Sequence, residues 1–178
     1  VEFNLMKADI QHARKAGAAG VVFGVLRSDG SIDRERALEL VELASPLKAV
    51  FHRAFDMTSD SFFAMEEVIA IGCQILLTSG HRQTAEDGLE LIRELVKRAG
   101  NRIEVMAGGG VNASNAMLLH IAGVRAFHFT ARKKVDGGMH YRNEALQSMG
   151  NNSEYDEYGI YVFDEEKVKG VFKALTGT

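Results

Sequence analysis

KAVFHRAFD (48–56) begins as a short apolar run and ends in three ionisable groups, His52, Arg53 and Asp56. The same passage from apolar to polar recurs in ILLTSG (75–80), IEVMAGGG (103–110) and RAFHFTAR (125–132). Short, nearly continuous runs of Val, Ile, Leu and Phe are the pattern of parallel strands covered on both faces. With VVFGVL (21–26) they make five strands, whose starts lie 22 to 28 residues apart. That interval leaves room for one helix between neighbours, so the chain reads as a repeated βα unit of the α/β class.

Working outward, residues 2–16 carry Phe3, Met6, Ile10 and Ala13 at helical spacing, and Asp33 opens a second helix over 33–43 as its N-cap. Further helices are expected at 61–71, 84–99 and 114–121, with Gly72, Gly100 and Gly123 as C-terminal stops. From 133 to 163 the periodicity dissolves into Gly, Asn, Asp, Glu and Tyr. This stretch is expected to be a long loop after the fifth strand, with a short pairing near 158–163, before a closing helix at 164–175. The whole, 1–178, reads as a single domain. Five parallel strands form either an open doubly wound sheet or an arc of a barrel, and an arc leaves two edges that other strands or other chains must cover.

The 178 residues are 46% apolar and 25% charged, enough for one well-buried core without staples. A net charge of −3 with scattered basic residues argues against nucleic acid as a partner. The longest apolar stretch, 16–26, holds three glycines and is far below the roughly 20 residues a spanning helix needs, which argues against a membrane. One cysteine, Cys73, and no secretory leader fit a cytoplasmic location. The chain opens on Val1 and enters a helix at once, as expected of a segment processed or cut from something longer.

In a βα repeat the carboxyl ends of all strands lie on one side, so the polar strand ends share one mouth. Gly108, Gly109 and Gly110, followed by VNAS (111–114), let backbone approach an anion at a helix start. His128, Thr130 and Arg132 share parity, so an extended chain would aim Arg132 at the same anion. His52, Arg53 and Asp56 form the densest group of candidates for acid/base chemistry, with His128 beside them, while Thr78 and Ser79 add hydroxyl donors. An Arg53–Asp56 ion pair bracing the loop is the structural alternative, and His81 is expected at the surface. A small carboxylate or phosphate is the ligand these residues imply. The reaction, if there is one, is left open.

Seven methionines, six histidines and Cys73 raise the question of a soft metal, but no CxxC, MxxM or HxxxH occurs, so no copper site is evident from the residues themselves. Glu104 lies inside an apolar strand with the parity of Met106 and Gly108, which places it toward a barrel interior.

FHRAFD, LTSG, the M-x-GGG run, the H-x-x-A-R strand end and Gly138-Met139 together resemble the CutC copper homeostasis family. Segments 5–10 and 20–26 and the EY…V pattern within 154–168 extend the likeness over the whole chain. The resemblance implies a TIM-type (β/α) barrel, incomplete here, with these five strands as strands four to eight and about three strands absent. It also implies a role in copper homeostasis and copper ion binding. The family's copper-associated cysteines lie in the absent portion, so no metal ligand is carried over to this chain. Ala107 stands where the family usually has proline, and Thr130 where it usually has serine. Three readings follow: a copper homeostasis protein, an enzyme of unknown reaction holding a small anion at its mouth, or a truncated product that needs a completing chain or a homo-oligomer.

Overall fold

The computed structural model describes residues 1–143, 145 and 156–177. Helix α1 (Glu2–Lys15) leads into β1 (Gly20–Phe23), and four further parallel strands alternate with helices: β2 (Lys48–Phe51), β3 (Ile75–Thr78), β4 (Glu104–Gly108) and β5 (Ala126–His128). The helices are α2 (Arg34–Ala44), α3 (Ser61–Ala70), α4 (Leu89–Ala99) and α5 (Ala116–Ile121). The side chain of Asp33 caps α2 by accepting the Arg36 N–H, as its position predicts. Gly72, Gly100 and Gly123 follow their helices with positive φ, a conformation that costs glycine little.

The strand order is β1-β2-β3-β4-β5, with no reversal. A doubly wound sheet needs a switch point where the order turns back, so the sheet is an arc of a TIM-type barrel. Its two faces differ sharply. Phe23, Phe51, Leu76 and Val105 lie across the sheet in register and pack against α1 to α4 through Ile10, Leu40, Met65, Val68 and Leu95. That row is almost wholly buried. On the alternate, concave face the register row Val22, Val50, Ile75 and Glu104 ends at both sides in exposed residues, and Val22 keeps 60% of its surface. Glu104 therefore takes the concave side, as its parity indicates, and is exposed there. A smaller cluster of Ile92, Ala107, Leu119 and Val124 seats α5 against β4.

The stretch expected as one long loop begins and ends in paired strands. β6 (Arg132–Asp136) and β7 (Gly159–Phe163) form an antiparallel ribbon, from which α6 (Glu165–Thr176) departs. Residues 144 and 146–155 of that expected loop lie outside the described residues. Helix α4 starts at Leu89 rather than 84: Ser79 and His81 donate their N–H groups to Asp56 in the turn after β2, and the Ala85 N–H donates to the Gly109 carbonyl after β4.

Candidate functional site

At the carboxyl end of β2 the chain turns directly into a 3₁₀ turn, Arg53–Met57, capped by His52, whose Nδ1 accepts the Ala54 N–H at 3.1 Å. The tight turn swings Asp56 sideways toward β3. Its side chain keeps only 7% of its surface and accepts from five donors. These are Arg53 Nε (2.7 Å), Thr78 Oγ1 (2.5 Å), Ser79 N–H (3.0 Å), Ser79 Oγ (2.8 Å) and the His81 N–H (3.2 Å). Burial works to raise the Asp56 carboxyl, but the hydrogen bonds from Thr78, Arg53 and Ser79 outweigh it and hold it below the ordinary aspartate value. A carboxylate so fully engaged is a positioning group; it has no acceptor capacity to spare for a proton in transit.

What Asp56 positions is Arg53. Arg53 Nη2 donates to Ser79 Oγ at 2.6 Å and to the Arg82 carbonyl at 3.2 Å. Ser79 Oγ in turn lies 2.5 Å from that carbonyl, its single hydrogen serving Asp56 or Arg82. With Nε and Nη2 held, Nη1 faces the glycine turn after β4: a Cβ at Gly109, where φ is +100°, would stand 3.0 Å from it. No acceptor is paired with Nη1 among the described residues. FHRAFD, LTSG and GGG thus meet around one guanidinium, as their strand-end positions predict.

His81 was expected at the surface, and the structure corrects this. It is half-buried, adopts φ +57°, and sets its ring edge-to-face on Phe55 with centroids 5.2 Å apart. Its Nε2 lies 3.5 Å from Thr58 Oγ1. Desolvation lowers the His81 pKa, and the facing Asp56 carboxylate only partly opposes this. The available signal was its position one residue after LTSG, inside the loop that closes on Asp56.

The glycine loop itself is self-capped. Asn112 Oδ1 accepts from the Ser114 N–H and hydroxyl, Asn115 Oδ1 accepts from the Asn112 N–H, and the Gly110 carbonyl takes both asparagine amides. The Asn112 and Ser114 N–H groups are therefore engaged within the loop, and Arg53 supplies a positive group beside Gly109. Gly108, buried at the end of β4, is in register with the exposed His128 on β5. Thr130 lines a separate cleft of about 420 Å³ with Asn112, Ser114 and Lys167. Arg132 opens the ribbon strand β6. Strand β5 ends at His128 and a new strand begins at Arg132, so parity does not carry through; its guanidinium stacks on Tyr161 at 4.5 Å.

The donors available do not fit a thiolate copper site. Cys73 is buried just before β3, at the end of the sheet remote from the mouth, and desolvation pushes its thiol up to about 12. No three of His, Cys, Asp and Glu stand close enough to hold a metal ion among the described residues. Among them too, no helix is long and apolar enough to cross a membrane.

The CutC family model matches residues 1–133, which include the whole Asp56–Arg53 constellation. The family protein CutC of Bacteroides fragilis is 42% identical over the full length of this chain, which spans 71% of that relative. The mouse protein called copper homeostasis protein cutC homolog is 44% identical, and this alignment covers 94% of the chain but 62% of the relative. A crystal structure of CutC from Streptococcus agalactiae superposes with a TM-score of 0.68 at 33% identity, over 71% of this chain and 63% of that one. A structure described as native KDPGal shares the fold, with a TM-score of 0.54 at 18% identity, over 94% of this chain and 63% of that one. On the family match and these identities, the chain belongs to the CutC family.

Proposed function

We propose that this chain serves copper homeostasis in the cytoplasm, the role carried in the names of its mouse and human relatives, through a mouth that holds a small carboxylate or phosphate on Arg53. The observation that carries the anion reading is the state of that guanidinium. Two of its nitrogens are clamped by Asp56, Ser79 and the Arg82 carbonyl, and the third is left against the Gly109 turn. Holding an arginine in advance removes the entropy that a free side chain loses on binding, and this is how a positioned cation gains selectivity. The negative charge of Asp56 is dispersed over five donors, so it detracts less from the guanidinium than an open carboxylate would. His52 and His128 stand at the carboxyl ends of β2 and β5, on the same side of the sheet, where either could pass a proton to a bound ligand; this keeps enzymatic turnover as the function of the same mouth.

The test measures two ligands on one preparation. Calorimetric titration with inorganic phosphate and with acetate should show binding that Arg53→Ala abolishes. Copper retained after Cu(I) loading, measured by atomic emission, should be no greater than in Cys73→Ser. Anion binding unchanged in Arg53→Ala refutes the Arg53 reading. Stoichiometric Cu(I) that disappears in Cys73→Ser transfers the function to direct metal binding.

A further inference from the structure

Residues 79–88 bridge the two turns that flank Arg53 Nη1. On one side the Ser79 and His81 N–H groups donate to Asp56, and the Arg82 carbonyl accepts from Arg53 Nη2. On the other the Ala85 N–H donates to the Gly109 carbonyl, and Glu86 accepts from the Asn115 amide. The base of this loop is pinched where Gly80 and Gly88 meet, since a Cβ on either would collide with main chain across the base. Between the two attachments lie Arg82 and Gln83, both exposed.

Arg82 is fixed through its main chain. Its carbonyl oxygen is 3.2 Å from Arg53 Nη2 and 2.5 Å from Ser79 Oγ, whereas its guanidinium has no partner among the described residues. Counting bond lengths from that carbonyl, the Arg82 Cα lies within roughly 8 Å of Arg53 Nη1, a distance that an extended arginine side chain spans. The acidic neighbours on the loop are engaged elsewhere, Glu86 with Asn115 and Asp87 with the Thr84 hydroxyl.

Arg53 alone cannot take a ligand with two prongs. Its Nε serves Asp56, and Nη2 donates to both Ser79 and Arg82, so both Nη2 hydrogens are in use and Nη1 remains. A carboxylate, with two oxygens in one plane, is matched by the planar fork of a single arginine. A phosphoryl group carries acceptor oxygens that diverge, and it suits two cations approaching from different segments. We propose that Arg82 is the second cationic contact of the Arg53 mouth, and that the ligand is phosphate or a phosphate monoester rather than a carboxylate. This rests on the anion reading above and narrows its ligand class.

Calorimetric titration of the whole chain at about pH 8, where phosphate is mainly a dianion, compares inorganic phosphate with acetate. The wild type should bind phosphate at least about tenfold more tightly than acetate. Arg82→Gln should lose about tenfold in phosphate affinity with acetate affinity nearly unchanged, and Arg82→Lys, which keeps the charge, should recover most of that loss. Both variants retain the main-chain carbonyl that Arg53 uses and should melt like the wild type. Phosphate bound equally by the wild type and Arg82→Gln, but lost in Arg53→Ala, overturns this inference and leaves the Arg53 site standing. Acetate bound by the wild type as tightly as phosphate overturns it too. Phosphate binding unchanged in Arg53→Ala overturns both readings.

Discussion

Replacing Asp56 by alanine removes one acceptor group from five donors at a stroke, and the consequence divides structural from ligand-binding roles within the cluster. Thr78 and Ser79 are both fully buried, so the Thr78 hydroxyl and the Ser79 N–H would lose an acceptor where water does not replace it. Hydrogen bonds to a charged acceptor contribute roughly 1.5–3 kcal/mol each, and they are not additive when donors share one carboxylate. Breaking a buried charged network by removing one member costs about 3–5 kcal/mol. For a chain of this size that loss lowers the melting temperature by about 10 °C. Arg53→Ala removes the other half of the ion pair, but the arginine side chain is 41% exposed, and a pair so open to solvent contributes about 1 kcal/mol or less. Urea denaturation followed by far-ultraviolet circular dichroism measures both, with an unchanged slope confirming that the native state is retained. Asp56→Ala should unfold at much lower urea, and Arg53→Ala near the wild type while failing to bind phosphate. An Asp56→Ala loss below about 1 kcal/mol, or equal losses for the two variants, would refute the assignment of Asp56 as the positioning group.

Acid should weaken the fold in two windows. A histidine whose folded pKa lies below its ordinary value contributes stability that is complete above about 6.5 and lost as pH falls below it. A depressed aspartate contributes stability present above about 3.9 and lost as pH falls toward its folded pKa. His81→Asn, chosen because asparagine tolerates positive φ, should flatten the first window and leave the second; a wild-type profile in that variant would exclude His81. Cys73, with its thiol at about 12, should react with a disulfide reagent at pH 8 far more slowly than free cysteine, the thiolate fraction being on the order of one in ten thousand. Rapid labelling of the native protein would contradict its burial.

Most of the fold was legible because its signals are local. Apolar runs of four or five residues, glycine stops and the Asp33 cap all act within a turn or two of chain, and β3 falls on the residues the pattern indicates. The order of strand-end motifs was equally legible, and so was the convergence of FHRAFD, LTSG and GGG on one mouth, since parallel strands put their carboxyl ends on the same side. Parity failed at Arg132 because it assumes an unbroken strand, and β5 stops four residues earlier. His81 was missed because a loop residue's burial depends on what the loop folds against.

The sequence by itself determined the βα repeat, the family and the set of polar groups available at the mouth. Only the tertiary structure decided their roles. The donors that meet at Asp56 come from positions up to 25 residues away, and nothing in local spacing says that a carboxylate will satisfy five of them. It is the curvature of the sheet and the 3₁₀ turn after β2 that make Asp56 a clamp and leave Arg53 to face the ligand. The bare concave face is likewise a tertiary fact. An apolar strand looks the same in sequence whether its second face is covered or open, and only the packing of helices on one side shows which residues stay exposed.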